Sequence, residues 1–352
     1  NAYHADSAAC LLIDGQLVGA VAEERLGARQ KHSSAFPVNA IRWLLDDNGL
    51  TLADITHLAI PRNTAANRGA KIAHVLKHPI TGLASAWTHV ARSRETASMI
   101  DKLAAICDVD PAQARFETVA VEHHLSHIAS SYYCSPFDGL TAGFSYDASG
   151  DFASAMAARC EGTKIDILDR VTLPDSLGFF YTALCQFIGF DRFGEEYKVM
   201  GLAPYGEDNY HDEMARLLAL PDGKWFTLNQ DYFGMHKGGK SGDVDTANNL
   251  IMGQLFDSRM ADIFGEPAPR GTLGQREKDI ARSTQIRFED AALHCLHRLH
   301  SLVASEQLVM AGGCALNGVA NARILRETPF VTPYLQAAAS DDGTCLGAAY
   351  WV

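Results

Sequence analysis

A strand–turn–strand pattern with an acidic residue in the turn occurs twice in this chain, over residues 4–24 and 144–159. In the first copy, two apolar runs are joined by Asp14-Gly15, a dipeptide typical of tight hairpins. Segments with helical periodicity follow the two copies, at residues 37–48 and 177–190, which favours an α/β class. Repetition of this kind predicts two related α/β lobes, and the cleft between two lobes is the usual place for a ligand.

The same pattern sets the expected domain boundaries. We expect a first lobe over residues 1–140 and a second lobe over residues 141–352. The first lobe carries a helical insertion at about 64–115, and the second carries an irregular polar insertion at about 207–275. A long amphipathic helix is predicted for residues 282–303. A chain of 352 residues is long enough for two such domains.

Composition excludes several classes of function. Hydrophobic residues make up 47% and charged residues 20% of the chain, which is a normal globular mix. The net charge of −12, with no basic arm to offset it, argues against nonspecific nucleic-acid binding. No run of 18 apolar residues predicts a transmembrane helix, and no signal peptide is visible, so we expect a cytoplasmic protein. The eight cysteines are scattered without a C-x-x-C motif and are predicted to be mostly buried thiols.

Two histidines, His123 and His127, are spaced to share one face of a helix. A short apolar strand then ends at Asp147, which could add an oxygen ligand, and a second carboxylate pair, Asp341-Asp342, follows late in the chain. Histidine and carboxylate ligands together suit iron, zinc or manganese. Taken alone, the His-x-x-x-His spacing is more often an ordinary helix face, and the late carboxylate pair and a glycine turn at residues 311–317 are what favour a divalent-metal site.

Two turns have the composition of a phosphate-binding loop. Asp6 and Ser7 lie in the first, and Gly150 and Asp151 lie in the second. Turns that present backbone N–H groups beside small residues can bind phosphate. An ordinary hairpin turn is the alternative interpretation of each.

A glycine turn at Gly312-Gly313 gives a stronger signal for a nucleotide. It follows a buried strand and precedes Asn317. Glycine lets the backbone approach a nucleotide closely, and an asparagine amide can contact a ribose or a base edge. A tight junction between a strand and a helix is the alternative.

A lysine among apolar residues, Lys198, stands close to Gly201 and is a plausible phosphate partner. The alternative is a surface lysine paired with Glu195.

Six separated blocks occur in the order seen in the O-carbamoyltransferases of natural-product biosynthesis, and the chain resembles that family over nearly its whole length. The blocks are HADSAACLLIDGQLVGAVAEER, KHSSAFPVNAI, VEHHLSHIASSYY, GEEYKVMGLAPYG, AGGCALNGVANARIL and SDDGTCLGAAY. Members of this family modify nodulation factors, cephamycin, aminoglycosides, ansamycins and aminocoumarins.

The resemblance implies a fold and a reaction. The fold is that of the tRNA threonylcarbamoyl transferases, with two RNase-H-like lobes of the actin, sugar-kinase and Hsp70 type and an interlobe cleft for nucleotide and metal. The implied reaction has two steps. Carbamoyl phosphate and ATP give carbamoyl-adenylate, and the carbamoyl group then passes to an acceptor hydroxyl. In the family a C-terminal adenylate-forming domain performs the first step. Both ends of this chain look cut, and the chain ends where that domain should begin. We therefore expect either a truncated chain or an adenylate-forming domain on a separate polypeptide.

The resemblance also implies roles for single residues, carried over by position. The implied metal ligands, for Fe(II) with manganese or zinc as alternatives, are His123, His127, Asp147 and Asp341. The implied nucleotide contacts are Lys198, Gly201, Gly312, Gly313 and Asn317. The implied catalytic residues are His4 and Lys31, with Arg25 as a weaker candidate and Asp231 as a general base for the acceptor.

The implied partners are a small hydroxylated metabolite as acceptor and the C-terminal adenylate-forming domain, and a homodimer is compatible with the resemblance. Two alternatives stay open. A tRNA-modifying threonylcarbamoyl transferase is disfavoured by the negative charge and the lack of a clustered basic patch. A nucleotide-binding module of the same fold without catalysis is the other.

Overall fold

The computed structural model describes residues 1–2, 5–27, 31–77, 99–107, 115–234, 241–244 and 250–352. Its strands are β1 (Ala8–Ile13), β2 (Gln16–Ala22), β3 (His57–Ile60), β4 (Glu117–Ala120), β5 (Thr141–Gly150), β6 (Ala153–Glu161), β7 (Lys164–Thr172), β8 (Leu218–Ala219), β9 (Thr227–Leu228), β10 (Ser241–Val244), β11 (Leu250–Met252), β12 (Gln307–Ala311) and β13 (Thr332–Leu335).

The α-helices in these ranges are α1 (Val38–Asp47), α2 (Arg68–Lys77), α3 (Met99–Ile106), α4 (His123–Tyr133), α5 (Leu177–Phe187), α6 (Tyr197–Leu202), α7 (His211–Leu217), α8 (Ala261–Phe264), α9 (Gln275–Leu302), α10 (Gly318–Glu327) and α11 (Thr344–Trp351). Within the predicted helical insertion, the described residues form mainly the two helices α2 and α3. The predicted irregular insertion contains only short elements in its described part.

A five-stranded mixed sheet lies at the centre of the second half, in the order β13-β12-β5-β6-β7. Strands β5, β6 and β7 pair antiparallel along the chain, and β12 and β13 run parallel to β5. Alternate residues point to opposite faces of a strand. Phe144 and Tyr146 therefore face one core, with α5 and α9, while Met156 and Val309 face a second core, with α4.

The described residues of the first half form two separate two-stranded sheets. Strands β1 and β2 form the predicted hairpin around Asp14 and Gly15, which both have positive φ as such a turn requires. Strands β3 and β4 pair in parallel, and α11 packs against both β1 and β3. The α/β class is thus confirmed and the sheet at its centre is mixed, while the division into two RNase-H-like lobes stays a prediction.

The long helix α9 starts earlier than the sequence pattern predicts, so the predicted start at residue 282 is wrong. It begins at Gln275 because the Glu277 carboxylate accepts the backbone N–H of Gly274 at 2.8 Å and caps the first turn. Most of the added residues, 275–281, are polar or charged, and a pattern of apolar residues does not detect them.

Helices α4 and α11 cross at very short range. A Cβ atom on Gly347 would overlap the carbonyl oxygen of Ser126 and lie 2.6 Å from the backbone nitrogen of Ser130. Glycine at this crossing therefore lets the two backbones touch. The contact holds the start of α11 beside α4, and those two segments supply three side chains of the site described below.

Candidate metal centre

The imidazoles of His123 and His127 meet on one face of α4, as their spacing predicts. Their Nε2 atoms are 3.0 Å apart, and both side chains are buried. Helix α4 lies between the central sheet and α11, so nearly all of its residues are buried. The ring nitrogens therefore point into the protein interior rather than into solvent.

Two carboxylates reach the same point from other elements. Asp147 lies in an irregular stretch of β5, and its Oδ2 atom is 3.2 Å from Nε2 of His127. Asp341 precedes α11, and its Oδ1 atom is 3.3 Å from Nε2 of His123 and 3.5 Å from Nε2 of His127. One ligand atom from each of the four residues lies within 4.8 Å of the other three.

Charge in this cluster is strongly coupled. Burial opposes a proton on His123, but the carboxylates of Asp341 and Asp147 outweigh burial and raise the pKa of His123 to about 10. Burial also opposes charge on Asp147, yet hydrogen bonds from His123 and His127 lower its pKa below the usual range. The neighbouring His124 has a pKa lowered by burial and by the two other histidines. The two carboxylates thus create a strong demand for positive charge at the ring nitrogens.

The donor set fits a divalent transition metal. Two imidazole nitrogens and two carboxylate oxygens converge from three elements, and this mixture suits iron, manganese or zinc. Four protein ligands leave room for further oxygen ligands on an octahedral ion. The residues that the sequence singled out as a metal site are therefore brought together in the fold.

The Gly312-Gly313 turn borders this cluster. Gly312 has a φ of +99°, and a Cβ atom there would overlap the carbonyl oxygen of Tyr146. A Cβ atom on Gly313 would lie 2.9 Å from Oδ1 of Asp147. The turn is therefore both a tight junction after β12 and a close neighbour of a metal-ligand candidate.

Asn317 caps helix α10, because its Oδ1 atom accepts the N–H of Ala320 at 3.0 Å. Its amide also makes two reciprocal hydrogen bonds of 3.0 Å with the buried side chain of Gln285 on α9. Tyr181 and Glu289 bond the same glutamine. Sequence reasoning missed Gln285, because a single glutamine inside an amphipathic helix carries no pattern.

The first predicted phosphate turn is held by side-chain contacts. Oδ1 of Asp6 lies 2.7 Å from Nδ1 of His32, and Ser340 donates to Oδ2 of Asp6 at 2.8 Å. The Ser7 hydroxyl donates to the carbonyl of Ala35. Through Ser340 this turn joins the segment that carries Asp341. His4 lies outside the described residues, so its predicted role stays a prediction.

Lys31 and Lys198 both lie near α6 and the segment before it. The ammonium of Lys31 lies 5.0 Å above the ring of Tyr197. Lys198 pairs with Glu195 at 2.6 Å, which is the alternative raised from the sequence, and its side chain is about one-third exposed. A Cβ atom on Gly201 would meet open space, so that glycine leaves its surroundings accessible.

Asp231 lies in a short 3-10 turn, where its carboxylate is exposed and pairs with Arg259 at 2.9 Å. The structure thus places this predicted base on an accessible surface rather than in the buried cluster. Its role stays a prediction.

An acid-sensitive network anchors the segment that leads to Lys198. Arg270 donates to both oxygens of Glu195, at 2.6 and 2.9 Å, and together with Lys198 it lowers the pKa of Glu195 to about 2. Since the folded pKa lies below the ordinary value, this stabilisation is complete above about pH 4.5 and is lost as the pH falls through 2.

We therefore expect Glu195→Gln to lower the free energy of unfolding at pH 7. The difference from the parent should shrink as the pH falls from 4.5 toward 2. Urea denaturation at pH 7, 4, 3 and 2 measures it. A difference that stays constant over this range would contradict the assigned cause. Glu306→Gln, which makes the same change at an exposed glutamate, is the control.

Comparison with known proteins identifies a family whose sequence pattern the chain matches. The family model described as the carbamoyltransferase N-terminus matches residues 1–350. The chain is 34% identical to the uncharacterised protein sll1178 of Synechocystis sp., over 99% of this chain and 55% of that protein. It is 31% identical to the nodulation protein NolNO of Sinorhizobium fredii, over 99% of this chain and 46% of that protein. The chain thus spans about half the length of these curated relatives.

Among solved structures, the chain is similar to full-length HypF in its phosphate- and nucleotide-bound form. The identity is 13%, the match covers 72% of this chain and 48% of that chain, and the TM-score is 0.35. No helix within the described residues is long and apolar enough to cross a membrane.

Proposed function

This chain belongs to the carbamoyltransferase family, whose N-terminal model it matches over residues 1–350, and we propose that it transfers a carbamoyl group from carbamoyl-adenylate to an acceptor hydroxyl. The observation that carries the proposal is the contact between two features, the His/Asp cluster and the Gly312-Gly313 turn. A cation site that touches a nucleotide-type turn suits a reaction whose leaving group is AMP.

In the proposed site, a divalent ion would be held by His123, His127, Asp147 and Asp341. When bound, the ion neutralises negative charge on the phosphate of the leaving group. Fe(II) is the ion we propose, with manganese or zinc as alternatives. The surrounding burial excludes water from the ligands and keeps their electrostatic interactions strong.

The remaining residues bind and orient the reactants. The turn at Gly312 and Gly313 offers backbone without side chains for close approach of the nucleotide. Lys198 contributes positive charge for a phosphate, and Lys31 together with His4 would orient the carbamoyl carbonyl. As the acceptor oxygen attacks the carbamoyl carbon, the bond between that carbon and the phosphate oxygen breaks and AMP leaves.

The acceptor proton requires a base, for which we propose Asp231. Its exposed carboxylate is accessible to a bulky hydroxylated metabolite, which is the acceptor class we propose. Formation of carbamoyl-adenylate from carbamoyl phosphate and ATP is assigned to a C-terminal domain as partner. Because the proposal assigns adenylate formation to that domain, preformed carbamoyl-adenylate is the substrate with which to test this chain.

The test is calorimetric titration of the protein with ATP and with a stable carbamoyl-adenylate analogue, with Fe(II) or Mn²⁺ present and after chelation. We expect analogue binding that is lost on chelation. Adenylate supplied with a panel of hydroxylated metabolites should then give a carbamoylated product. Absence of binding with metal present would contradict the proposal. Binding without any product from adenylate would favour the non-catalytic module.

A further inference from the structure

The second predicted phosphate turn has a different use in the fold. We infer that Gly150 and Asp151 are positioning residues that fix His123 in the metal centre, an inference that rests on the proposed function. They act on the backbone and on the ring of the histidine from the turn between β5 and β6.

Asp151 caps the helix that carries the metal-ligand histidines. Its Oδ2 atom accepts the backbone N–H of His123 at 3.0 Å. His123 is the first residue of α4, and the residue before it, Glu122, makes no side-chain cap of its own. N–H groups in the first turn of a helix lack an acceptor within the helix, and a carboxylate there also complements the helix dipole. The cap thus comes from a residue far along the chain.

The same carboxylate oxygen binds a third segment. It accepts the N–H of Asn63 at 2.7 Å, and the side chain of Asn67 donates to the carbonyl of Asp151 at 3.0 Å. Asn67 also donates to Glu122, which forms a two-pronged pair with Arg170. The start of α4 is thereby fixed against the loop after β3, the β5–β6 turn and β7.

Gly150 sets the position of the histidine ring itself. A Cβ atom on this glycine would overlap the imidazole of His123 and lie 2.6 Å from its Cβ atom. The ring therefore packs directly against the glycine backbone. Any larger residue at position 150 would push the Nε2 atom of His123 away from the other ligands.

The turn between β5 and β6 is a two-residue hairpin in which both central residues have positive φ. Asp151 has a φ of +49°, and the next residue, Phe152, has a φ of +75°. A hairpin of this length favours positive φ at its central positions, and here neither position is a glycine. Aspartate tolerates this conformation better than most residues do.

These contacts also disfavour the phosphate role that the turn's composition predicts. A free N–H at the start of a helix can bind an anion, but Asp151 already occupies the N–H of His123. A carboxylate at this place repels a phosphate that approaches it directly. The sequence therefore identifies a functional turn, and its contacts assign the turn to the metal centre.

The experiment titrates the metal-free full chain with Zn²⁺ by calorimetry and with Co²⁺ by its visible spectrum. We expect Asp151→Ala to bind Zn²⁺ about 10–100-fold more weakly, the cost typical of losing a residue that orients a ligand. The Co²⁺ spectrum should change shape, since the ring of His123 is no longer fixed. Asp151→Asn keeps an oxygen acceptor and should bind within a few-fold of the parent.

Asp54→Ala is the matched control, because Asp54 also accepts a backbone N–H, from Thr51 at 2.8 Å, and its neighbours are not metal-ligand candidates. It should leave Zn²⁺ affinity unchanged. Urea denaturation of both alanine variants shows whether each one folds. If Asp151→Ala fails to fold, Gly150→Ala still tests the role, because its methyl group would displace the ring of His123 and should weaken Zn²⁺ binding and change the Co²⁺ spectrum.

Two results overturn the inference while leaving the proposed function intact. One is an Asp151→Ala variant with parental Zn²⁺ affinity and spectrum. The other is a variant that loses ATP affinity in the absence of metal but keeps metal affinity, which would restore the phosphate role. A parent protein that binds neither ion overturns the metal centre itself.

Discussion

Replacing His127 with alanine is expected to abolish stoichiometric metal binding and to lower carbamoyl transfer by ~100-fold or more, since a metal ion contributes several kcal/mol of transition-state charge stabilisation. His127 is fully buried, and its Nε2 atom is within 3.5 Å of Asp147, Asp341 and His123. Without the His127 imidazole, only two carboxylates and one imidazole remain as candidate metal ligands. Metal analysis after dialysis and product formation from supplied carbamoyl-adenylate measure the two effects.

His57→Ala is the control. It also removes a histidine, but His57 is exposed and lies outside the cluster. Its metal content and activity should match the parent. Circular dichroism of His127→Ala should retain the parental helix and strand content. A His127→Ala protein that is fully loaded with metal and fully active would refute the assignment of the metal centre.

The meeting of the candidate metal ligands was largely predictable, because most of their signal is local. His123 and His127 are one helical turn apart, and Asp147 ends an apolar run, so short-range patterns already place three donors near one another. Asp341 is far along the chain, so no local pattern places it beside the histidines, and only the family resemblance assigns it as the fourth ligand. The hairpin around Asp14-Gly15 was predictable for the same reason, since a dipeptide specifies the turn.

The positioning residues were not predictable, because their roles depend on which segments meet in three dimensions. Asp151 has the composition of a phosphate turn, yet its carboxylate is directed at the start of α4. Asn317 has the composition of a nucleotide contact, yet its amide caps α10 and pairs with Gln285. In each case one polar side chain could serve several partners, and tertiary contacts select the partner.

Gly347 affects both the packing of α11 against α4 and the position of Asp341, a metal-ligand candidate. A glycine inside a helix-forming segment ordinarily weakens the helix. Here it permits α11 to lie against the backbone of α4 at Ser126 and Ser130. Because α11 begins at Thr344, the same contact holds the nearby Asp341 beside the histidines of α4.

Substituting alanine for Gly347 should therefore destabilise the protein by about 3 kcal/mol or more, since the added methyl group meets backbone atoms that cannot rotate away. Metal affinity should fall as well, because the two helices must separate and Asp341 moves with α11.

Gly69→Ala is the control. That glycine also lies in a helix, but its Cβ atom would meet open space, so the change should be neutral or stabilise by up to ~1 kcal/mol. Thermal unfolding and Zn²⁺ titration of both variants measure the two effects. Equal stability and metal affinity in the two variants would show that the close crossing of α4 and α11 does not hold the metal centre together.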